Sequence, residues 1–364
     1  MKIGFDAKRY FFNQTGLGNY SRTLIDSLGK YFPENEYLLY SPKKPPFLPQ
    51  NPLYKVVTPA QKIPFLWRSF GLGKQVSQDK LDIYHGLSQE LPVDIGKSTA
   101  RKIVTVHDLL YLRYPQAYTF WDRKIHAEKL KFACKKADTI IAISQQTKQD
   151  IMEYCGISDE KIQVIYQPAN DYFANARFLP VEKENILRKY GLSFPFMLYV
   201  GAITYRKNVL SLVKTLPFLP QEVHIVLVGK GDKVAEIQHF AHKNGVEKRL
   251  HILQNVPTID LPALYQSAEA FVYPSLFEGF GLPILEAQHC GTPVIVGATG
   301  CFPETGGKGA IYVNQKNVEE MAFAMLSVLN EPIFKAEMSR KGRENAASFS
   351  AEKQAKEVFA CYLE

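Results

Sequence analysis

The feature that most constrains this chain is a rhythm: a short apolar run, a turn, then a stretch with helical spacing, repeated almost from end to end. The runs KIGFDA, EYLLYSP, DIYHG, KIVTVHD and DTIIAIS occupy the first part. FMLYVGA, EVHIVLVGKG, RLHILQNV, AEAFVYPS and TPVIVGA occupy the second. Several of these runs are apolar throughout rather than alternating, as strands buried on both faces of a parallel sheet must be. The rhythm breaks at IYQPANDYF, where Pro168 and Pro180 bracket a polar segment. The pattern predicts an α/β protein of two doubly wound domains, residues 1–172 and 173–345, and a last helix in 346–364 that crosses back to the first domain. With 364 residues the chain is long enough for two cores. Residues 42–64, rich in proline and polar groups, read as a long loop, and Asn19 to about Tyr31 as a helix.

Other classes are excluded early. The five cysteines, Cys134, Cys155, Cys290, Cys301 and Cys361, form no C-x-x-C pair, which argues against a zinc ribbon or disulfide scaffold and for a reducing compartment. The opening MKIGFDAKRY carries charges where a signal peptide needs its apolar stretch, and no run approaches the roughly 18 apolar residues of a spanning helix. A cytoplasmic chain is the expectation. Charge is uneven: residues 1–172 hold 24 Lys+Arg against 17 Asp+Glu, so +7 of the chain's net +8 lies there. A basic front half suits an anionic partner. No nucleic-acid motif is present, so nucleic acid is not expected. Two segments, 62–75 and 119–136, mix aromatics with cations. The second is expected to be an amphipathic helix with Phe120, Ile125, Leu130 and Cys134 inward and lysines outward. Such a helix either packs on a sheet with one wet face or lies on the anionic inner face of a membrane.

In open α/β sheets ligands bind beyond the carboxyl ends of the strands, so residues just after strands carry the functional information. The sharpest stretch follows AEAFVYPS and runs from Pro274 to Ala287, PSLFEGFGLPILEA. Pro283 stands where a helix can begin, and Gly291 where it can end. The glycine-rich turn Gly279-Phe280-Gly281-Leu282 then leads into a helix N-terminus, a ready site for a phosphate or diphosphate. Glu278 lies before that helix, within reach of sugar hydroxyls. Glu286 lies about a turn into it, where a carboxylate can accept hydrogen bonds from a ribose diol. Arg206 and Lys207, in the loop after FMLYVGA, are placed to stabilise the charge of a leaving diphosphate. Gly16 and Gly18 form either a tight turn or an approach of backbone N–H groups to an anion. His107 ends KIVTV and Asp108 follows it. Ser144 reads as a helix N-cap.

As a set, these motifs closely resemble the retaining glycosyltransferases of family 4, which have the GT-B fold. The resemblance rests on P-S-x-x-E-G-F-G-L-P-x-x-E-A, with its two glutamates seven residues apart, on CGTPVIV (Cys290–Val296), LPALYQSA (Leu261–Ala268), YVGAITYRKN (Tyr199–Asn208) and LVGKGD (Leu227–Asp232), and in the first half on TGLGNY, VHDL and ADTIIAIS. It implies two Rossmann-like domains facing across a cleft, and transfer of a hexose from a nucleotide diphosphate sugar to a glycan or lipid-linked acceptor with retained anomeric configuration.

The resemblance assigns Arg206 and Lys207 to the diphosphate, Gly16 and Gly18 to the diphosphate or acceptor, and Val256, with Pro257, to the base. It places His107 beside the donor sugar, as a positioning or electrostatic residue rather than a general base. Ala202 stands where many members carry a further arginine. Glu304 lies in a loop near the family's cleft, with no role read for it. No cofactor or metal is expected, and no Asp-x-Asp motif is present to hold one. The donor is a GDP- or UDP-hexose, leaning to mannose. Two other readings remain at this level: a glycosidase using Glu278 and Glu286 as acid and nucleophile, and a non-catalytic basic module binding nucleotides or membrane surfaces.

Overall fold

In the computed structural model, which describes residues 1–59, 64–115 and 118–364, the chain divides into two compact units. The first comprises Met1–Gln167 together with Ser350–Glu364, the second Pro168–Phe349.

The first unit is built on a seven-stranded parallel sheet: β1 (Lys2–Asp6), β2 (Glu36–Tyr40), β3 (Tyr54–Val57), β4 (Ile83–Gly86), β5 (Arg101–Val106), β6 (Thr139–Ala142) and β7 (Ile162–Val164), in the order β3-β2-β1-β4-β5-β6-β7. The second unit has six parallel strands: β8 (Phe196–Val200), β9 (His224–Val228), β10 (Leu250–Leu253), β11 (Ala270–Tyr273), β12 (Val294–Gly297) and β13 (Ala310–Val313), in the order β10-β9-β8-β11-β12-β13. In each sheet the order reverses direction at the first strand of its unit, β1 or β8. Such a reversal opens a crevice at the carboxyl edge. Every residue of β4, β6, β11 and β12 is buried.

The ten expected runs are all strands. Three strands escaped the reading. β3 lies in the segment taken as loop, and β7 and β13 are short edge strands of three and four residues whose faces are only partly buried. An edge strand needs no continuous apolar run, so its sequence signal is weak.

Two helices differ from expectation. The helix assigned from Asn19 begins three residues earlier, at Gly16, and runs to Tyr31. The helix Phe120–Lys136 buries Leu130, Ala133 and Cys134, but Phe120 and Ile125 face outward, 61% and 52% exposed, beside Trp121 at 68%. Its first half therefore presents aromatic side chains outward instead of into a core. The expected amphipathic face holds only over the second half. The other aromatic–basic segment, 62–75, falls partly outside the described residues. No helix among the described residues is long and apolar enough to cross a membrane.

The helix Ala351–Leu363 packs within the first unit, where the Phe359 ring stacks on Phe32 at 3.8 Å. The helix before it, Pro332–Ala347, belongs to the second unit.

Candidate active site

The second unit gathers its chemistry at the ends of β8 and β11. The loop after β8 makes a single 3-10 turn, Tyr205–Lys207, and ends at Asn208, which takes a left-handed conformation with φ 53°. The Asn208 side chain donates to the Pro274 carbonyl at 3.2 Å and the Gln315 carbonyl at 2.7 Å. The Leu276 N–H donates to the Arg206 carbonyl at 2.8 Å. The two loops are thereby laced together, and three charged groups converge. Lys207 Nζ lies 2.5 Å and Arg206 Nη1 2.7 Å from the same oxygen, Glu278 Oε1. Lys207 also donates to Tyr273 Oη at 2.5 Å and lies over that ring, and Arg206 donates to the Phe277 carbonyl at 2.6 Å.

Burial alone would raise the Glu278 carboxyl. The Lys207 ammonium and the Arg206 guanidinium outweigh it and hold the group below its ordinary range. Lys207, only 8% exposed, is lowered by burial against the pull of Glu278. The sequence reading gave both cations to a diphosphate and Glu278 to sugar hydroxyls. The structure places all three in one ion cluster, in which the carboxylate is already neutralised.

The glycine-rich turn is held from behind. Thr305 Oγ1 donates to the Phe280 carbonyl at 2.6 Å, and Cys301 Sγ lies 3.1 Å from that oxygen and 3.2 Å from the Glu278 carbonyl. In a trans peptide the following N–H points opposite to its carbonyl. Anchoring those two oxygens on Thr305 and Cys301 therefore turns the amides of Gly279 and Gly281 the other way. Neither amide has a hydrogen-bond partner among the described residues. Gly281, at φ 100°, occupies backbone space that a side chain would strain, and leads into the helix Leu282–His289 with Pro283 in its first turn. Two unpartnered amides and a helix N-terminus form an anion-accepting corner.

Glu286, one turn into that helix, accepts from Tyr265 Oη at 3.0 Å. Burial pushes its carboxyl up to about 7, a shift that the tyrosine hydrogen bond opposes. The turn thus carries two glutamates with opposite tendencies, one held ionised by cations and one poised near neutrality. Val256 and Pro257 precede a 3-10 turn and the helix Leu261–Ser267, and Val256 is partly buried against the core of the unit.

The first unit is described on its own. His107 follows β5, 5% exposed. Its Nε2 is 2.9 Å from the Leu87 carbonyl; since a carbonyl only accepts, Nε2 carries the proton and Nδ1 keeps its lone pair. Burial is the main cause that lowers the imidazole to about 4, so it is neutral at physiological pH. The Tyr20 ring meets it edge-on at 4.7 Å.

Behind Tyr20 runs a buried chain of hydrogen bonds. Tyr20 Oη meets Thr105 Oγ1 at 3.0 Å, Thr105 meets His85 Nε2 at 2.9 Å, and His85 Nδ1 meets Tyr362 Oη at 2.8 Å. The last helix thus enters the polar network next to His107. Asp108 accepts from the Leu110 N–H at 3.2 Å, and Ser144 caps its helix by accepting from the Thr147 N–H at 3.0 Å.

Gly16 and Gly18 lie in the first turn of the helix Gly16–Tyr31, not in a loop, and neither has positive φ. The Gly18 N–H bonds to the Thr15 carbonyl at 2.9 Å and Asn13 Oδ1 at 3.1 Å, so it is committed within the protein. A Cβ on Gly18 would fall 1.8 Å from the Asn13 carbonyl oxygen, and that close approach explains the glycine. Gly16 is exposed with open space around its Cα.

Sequence reasoning missed Tyr265, Tyr273, Cys301 and Thr305. Each lay in or beside a segment singled out beforehand, Tyr265 in LPALYQSA, Tyr273 in AEAFVYPS, and Cys301 and Thr305 on either side of Glu304, but acts through a contact 21 or more residues away along the chain, which local spacing does not reveal.

The family described as Glycosyltransferase Family 4 matches residues 16–171, and the family described as Glycosyl transferases group 1 matches residues 182–346. The O-antigen chain mannosyltransferase B of Escherichia coli is 30% identical over 278 residues, 74% of this chain and 71% of that protein. The O-antigen chain mannosyltransferase RfbU of Salmonella typhimurium is 30% identical over 63% of this chain and 61% of its own length. The serotype-specific mannosyltransferase WbdA of Escherichia coli is 29% identical over 74% of this chain, but the match spans only 34% of that longer protein. Among solved structures, a sucrose-phosphate synthase from Thermosynechococcus elongatus has a TM-score of 0.79 at 20% identity, covering 100% of this chain and 98% of its own. Anabaena HepE, solved with UDP and glucose, has a TM-score of 0.77 at 19% identity, covering 99% of each chain. These structures share the two-unit Rossmann-like fold, as expected for GT-B. Both halves of the chain and the motif that joins Glu278 to Glu286 lead to one identification: this protein belongs to the family 4 (group 1) glycosyltransferases.

Proposed function

We propose that the protein transfers a hexose, with mannose the first candidate, from a GDP- or UDP-linked donor to a glycan or lipid-linked acceptor in cell-surface polysaccharide synthesis, retaining the anomeric configuration. The observation that carries this reading is the amide pair of Gly279 and Gly281, unpartnered among the described residues and turned away from Thr305 and Cys301, beside the Arg206–Lys207–Glu278 cluster. A leaving diphosphate gains negative charge as its bond to the sugar breaks, and preorganised donors and cations at that point lower the barrier. The amides and helix N-terminus take the diphosphate, and Arg206 and Lys207 exchange part of their hold on Glu278 for it. Glu286 accepts from the ribose diol and Val256 lies against the base. His107, neutral and fixed by Leu87, positions the sugar through Nδ1.

A retaining outcome follows from attack on the face the diphosphate leaves, with the departing oxygen taking the acceptor's proton. No carboxylate serves as nucleophile, because Glu278 is already paired with two cations. That pairing also weighs against a glycosidase. The relatives named as O-antigen mannosyltransferases support the choice of mannose and of a polysaccharide acceptor.

A panel of nucleotide sugars tested by thermal shift and by transfer to a lipid-linked acceptor decides the donor. Stabilisation by one GDP- or UDP-hexose, lost in Glu286→Ala, supports the reading; indifference to the whole panel would sink it. The exposed Phe120, Trp121 and Ile125 beside Arg123 and Lys124 also favour peripheral contact with an anionic membrane. Co-sedimentation with phosphatidylglycerol vesicles, lost in Trp121→Ser, tests it, and equal sedimentation of the variant would refute it.

A further inference from the structure

The second unit carries a hollow that the proposed chemistry does not use. It has a volume of about 600 Å³, within the range of small-molecule sites, and lies at the opposite end of the helix Leu282–His289 from the glycine-rich turn. Four basic side chains line it, Arg177, Lys183, His289 and Arg343, together with Gln266, whose Nε2 donates to the Ala176 carbonyl at 3.2 Å. No carboxylate is among the lining residues.

The cations are not committed elsewhere. Arg177 is anchored through Nη1 alone, which donates to the Ala174 carbonyl at 2.9 Å and the Ala176 carbonyl at 3.0 Å. Its remaining N–H groups have no partner among the described residues. The side chains of Lys183 and Arg343 have no ion pair or hydrogen bond among the described residues. The Arg343 guanidinium lies flat against the chain at Gly291, where a Cβ would come within 1.9 Å of Nη2. Gly291, at φ 75°, is thus the residue type that lets this arginine rest on the rim. His289 is lowered by burial, against the opposing influence of nearby Asp171, so it offers a neutral imidazole. The Cys290 thiol, pushed up to about 12 mainly by burial, adds no charge.

Three permanent cations around one concave surface repel each other, and only a bound anion or bulk counterions relieve that repulsion. Two guanidinium forks match the oxygen geometry of phosphate better than that of a halide or a lone carboxylate. We infer that this hollow is a second binding site, for a phosphate-bearing anion, separate from the proposed donor site. The ligand has the size of a sugar phosphate or a lipid phosphate headgroup, and its phosphate lies between Arg177 and Arg343 with Lys183 completing the charge.

The inference does not rest on the transferase reading, and its test is built to fail independently of it. Pyrophosphate is titrated by calorimetry into the full chain with the donor nucleotide held saturating, and flotation with phosphatidylcholine vesicles, with or without phosphatidic acid, is measured in parallel. The variants are Arg177→Gln/Arg343→Gln and, as a check on folding and on general surface charge, Arg188→Gln/Arg340→Gln, which removes two arginines that are paired with surface carboxylates. Saturable pyrophosphate binding that weakens about fivefold or more in the first variant alone supports a soluble phosphate ester. Flotation dependent on phosphatidic acid and lost in the first variant alone supports a lipid headgroup. Absence of both signals, or equal loss in both variants, overturns the proposal. Donor affinity should be unchanged in the first variant whichever source is right.

Discussion

Lys207 and Arg206 meet the same oxygen of Glu278, at 2.5 Å and 2.7 Å, so the carboxylate and its two cations form one electrostatic unit rather than three separate ligands. Removing any member changes the electrostatic surroundings of the other two, and this governs how mutations at the turn should behave.

Lys207→Met should lower transfer by about 10²- to 10³-fold, the cost of losing one group that stabilises developing charge. It should also destabilise the second unit by about 2 kcal/mol, because a buried carboxylate loses one of its partners. The double variant Lys207→Met/Glu278→Gln should recover much of that stability without recovering activity. Denaturant unfolding and single-turnover rates measure the two separately; a double variant less stable than the single one would contradict the shared-unit description.

Glu286 should control the pH dependence of donor binding. With its carboxyl raised to about 7, the ionised form that accepts from a ribose diol grows in as pH rises from 6 to 8. Affinity for the intact nucleotide sugar should rise over that window with a midpoint near 7. In Glu286→Gln the curve should be flat. A midpoint that persists in the variant would assign the titration to another group.

Acid should weaken the first unit. His107 is lowered to about 4 and His85 to about 3, burial being the main cause for both, so in the folded state they refuse protons that the unfolded chain accepts below about 6.5. Unfolding free energy therefore falls as pH drops from about 6.5 towards 4, on the order of 3 kcal/mol for His107 alone. Glu286 acts in the opposite sense. Its folded-state carboxyl is raised, so its contribution is full below about 4.3 and is lost as pH rises through 7. Hydrogen exchange resolved by unit should show β5 losing protection between pH 7 and 5, and unchanged protection there would rule this out.

Tyr362→Phe tests the tie between the last helix and the histidine side of the first unit. The substitution leaves His85 Nδ1 without its buried partner, at a cost of about 1–3 kcal/mol. Exchange protection should fall in both Ala351–Leu363 and β4, and kcat should fall more than the donor KM rises if the disturbance reaches His107 through Tyr20. Loss confined to the C-terminal helix would show that the chain of hydrogen bonds ends at His85.

Thr305→Val should loosen the glycine-rich turn without breaking the fold. It removes the 2.6 Å bond to the Phe280 carbonyl, worth about 1 kcal/mol, and frees the amide of Gly281 to rotate. Donor KM should rise several-fold with little change in thermal stability. Thr305→Ser, which keeps the hydroxyl, should restore it.

The buried strands were legible because a strand covered on both faces is made mostly of apolar residues: β11 and β12 carry no charged or amide side chain, and in β4 and β6 only the buried His85 and Thr139 depart from the pattern. The turn at Glu278 was legible because glycine, proline and glutamate at fixed spacing have few other structural uses. The outward turn of Phe120 and Ile125 was not legible, since helical spacing tells which side chains share a face but not what covers it. The early start of the helix at Gly16 was hidden by glycines that commonly break helices. There Gly18 serves a close approach to Asn13, a neighbour that spacing alone does not reveal.

The sequence by itself determined the local elements, the two-series organisation and the identity of the groups after each strand, because these depend on interactions within a few residues. The tertiary structure decided what those groups are: Glu278 neutralised by two cations, Glu286 raised by burial against Tyr265, His107 held as one tautomer by Leu87. Charge state and proton position depend on burial and on partners tens of residues away, and only the packed chain brings those together.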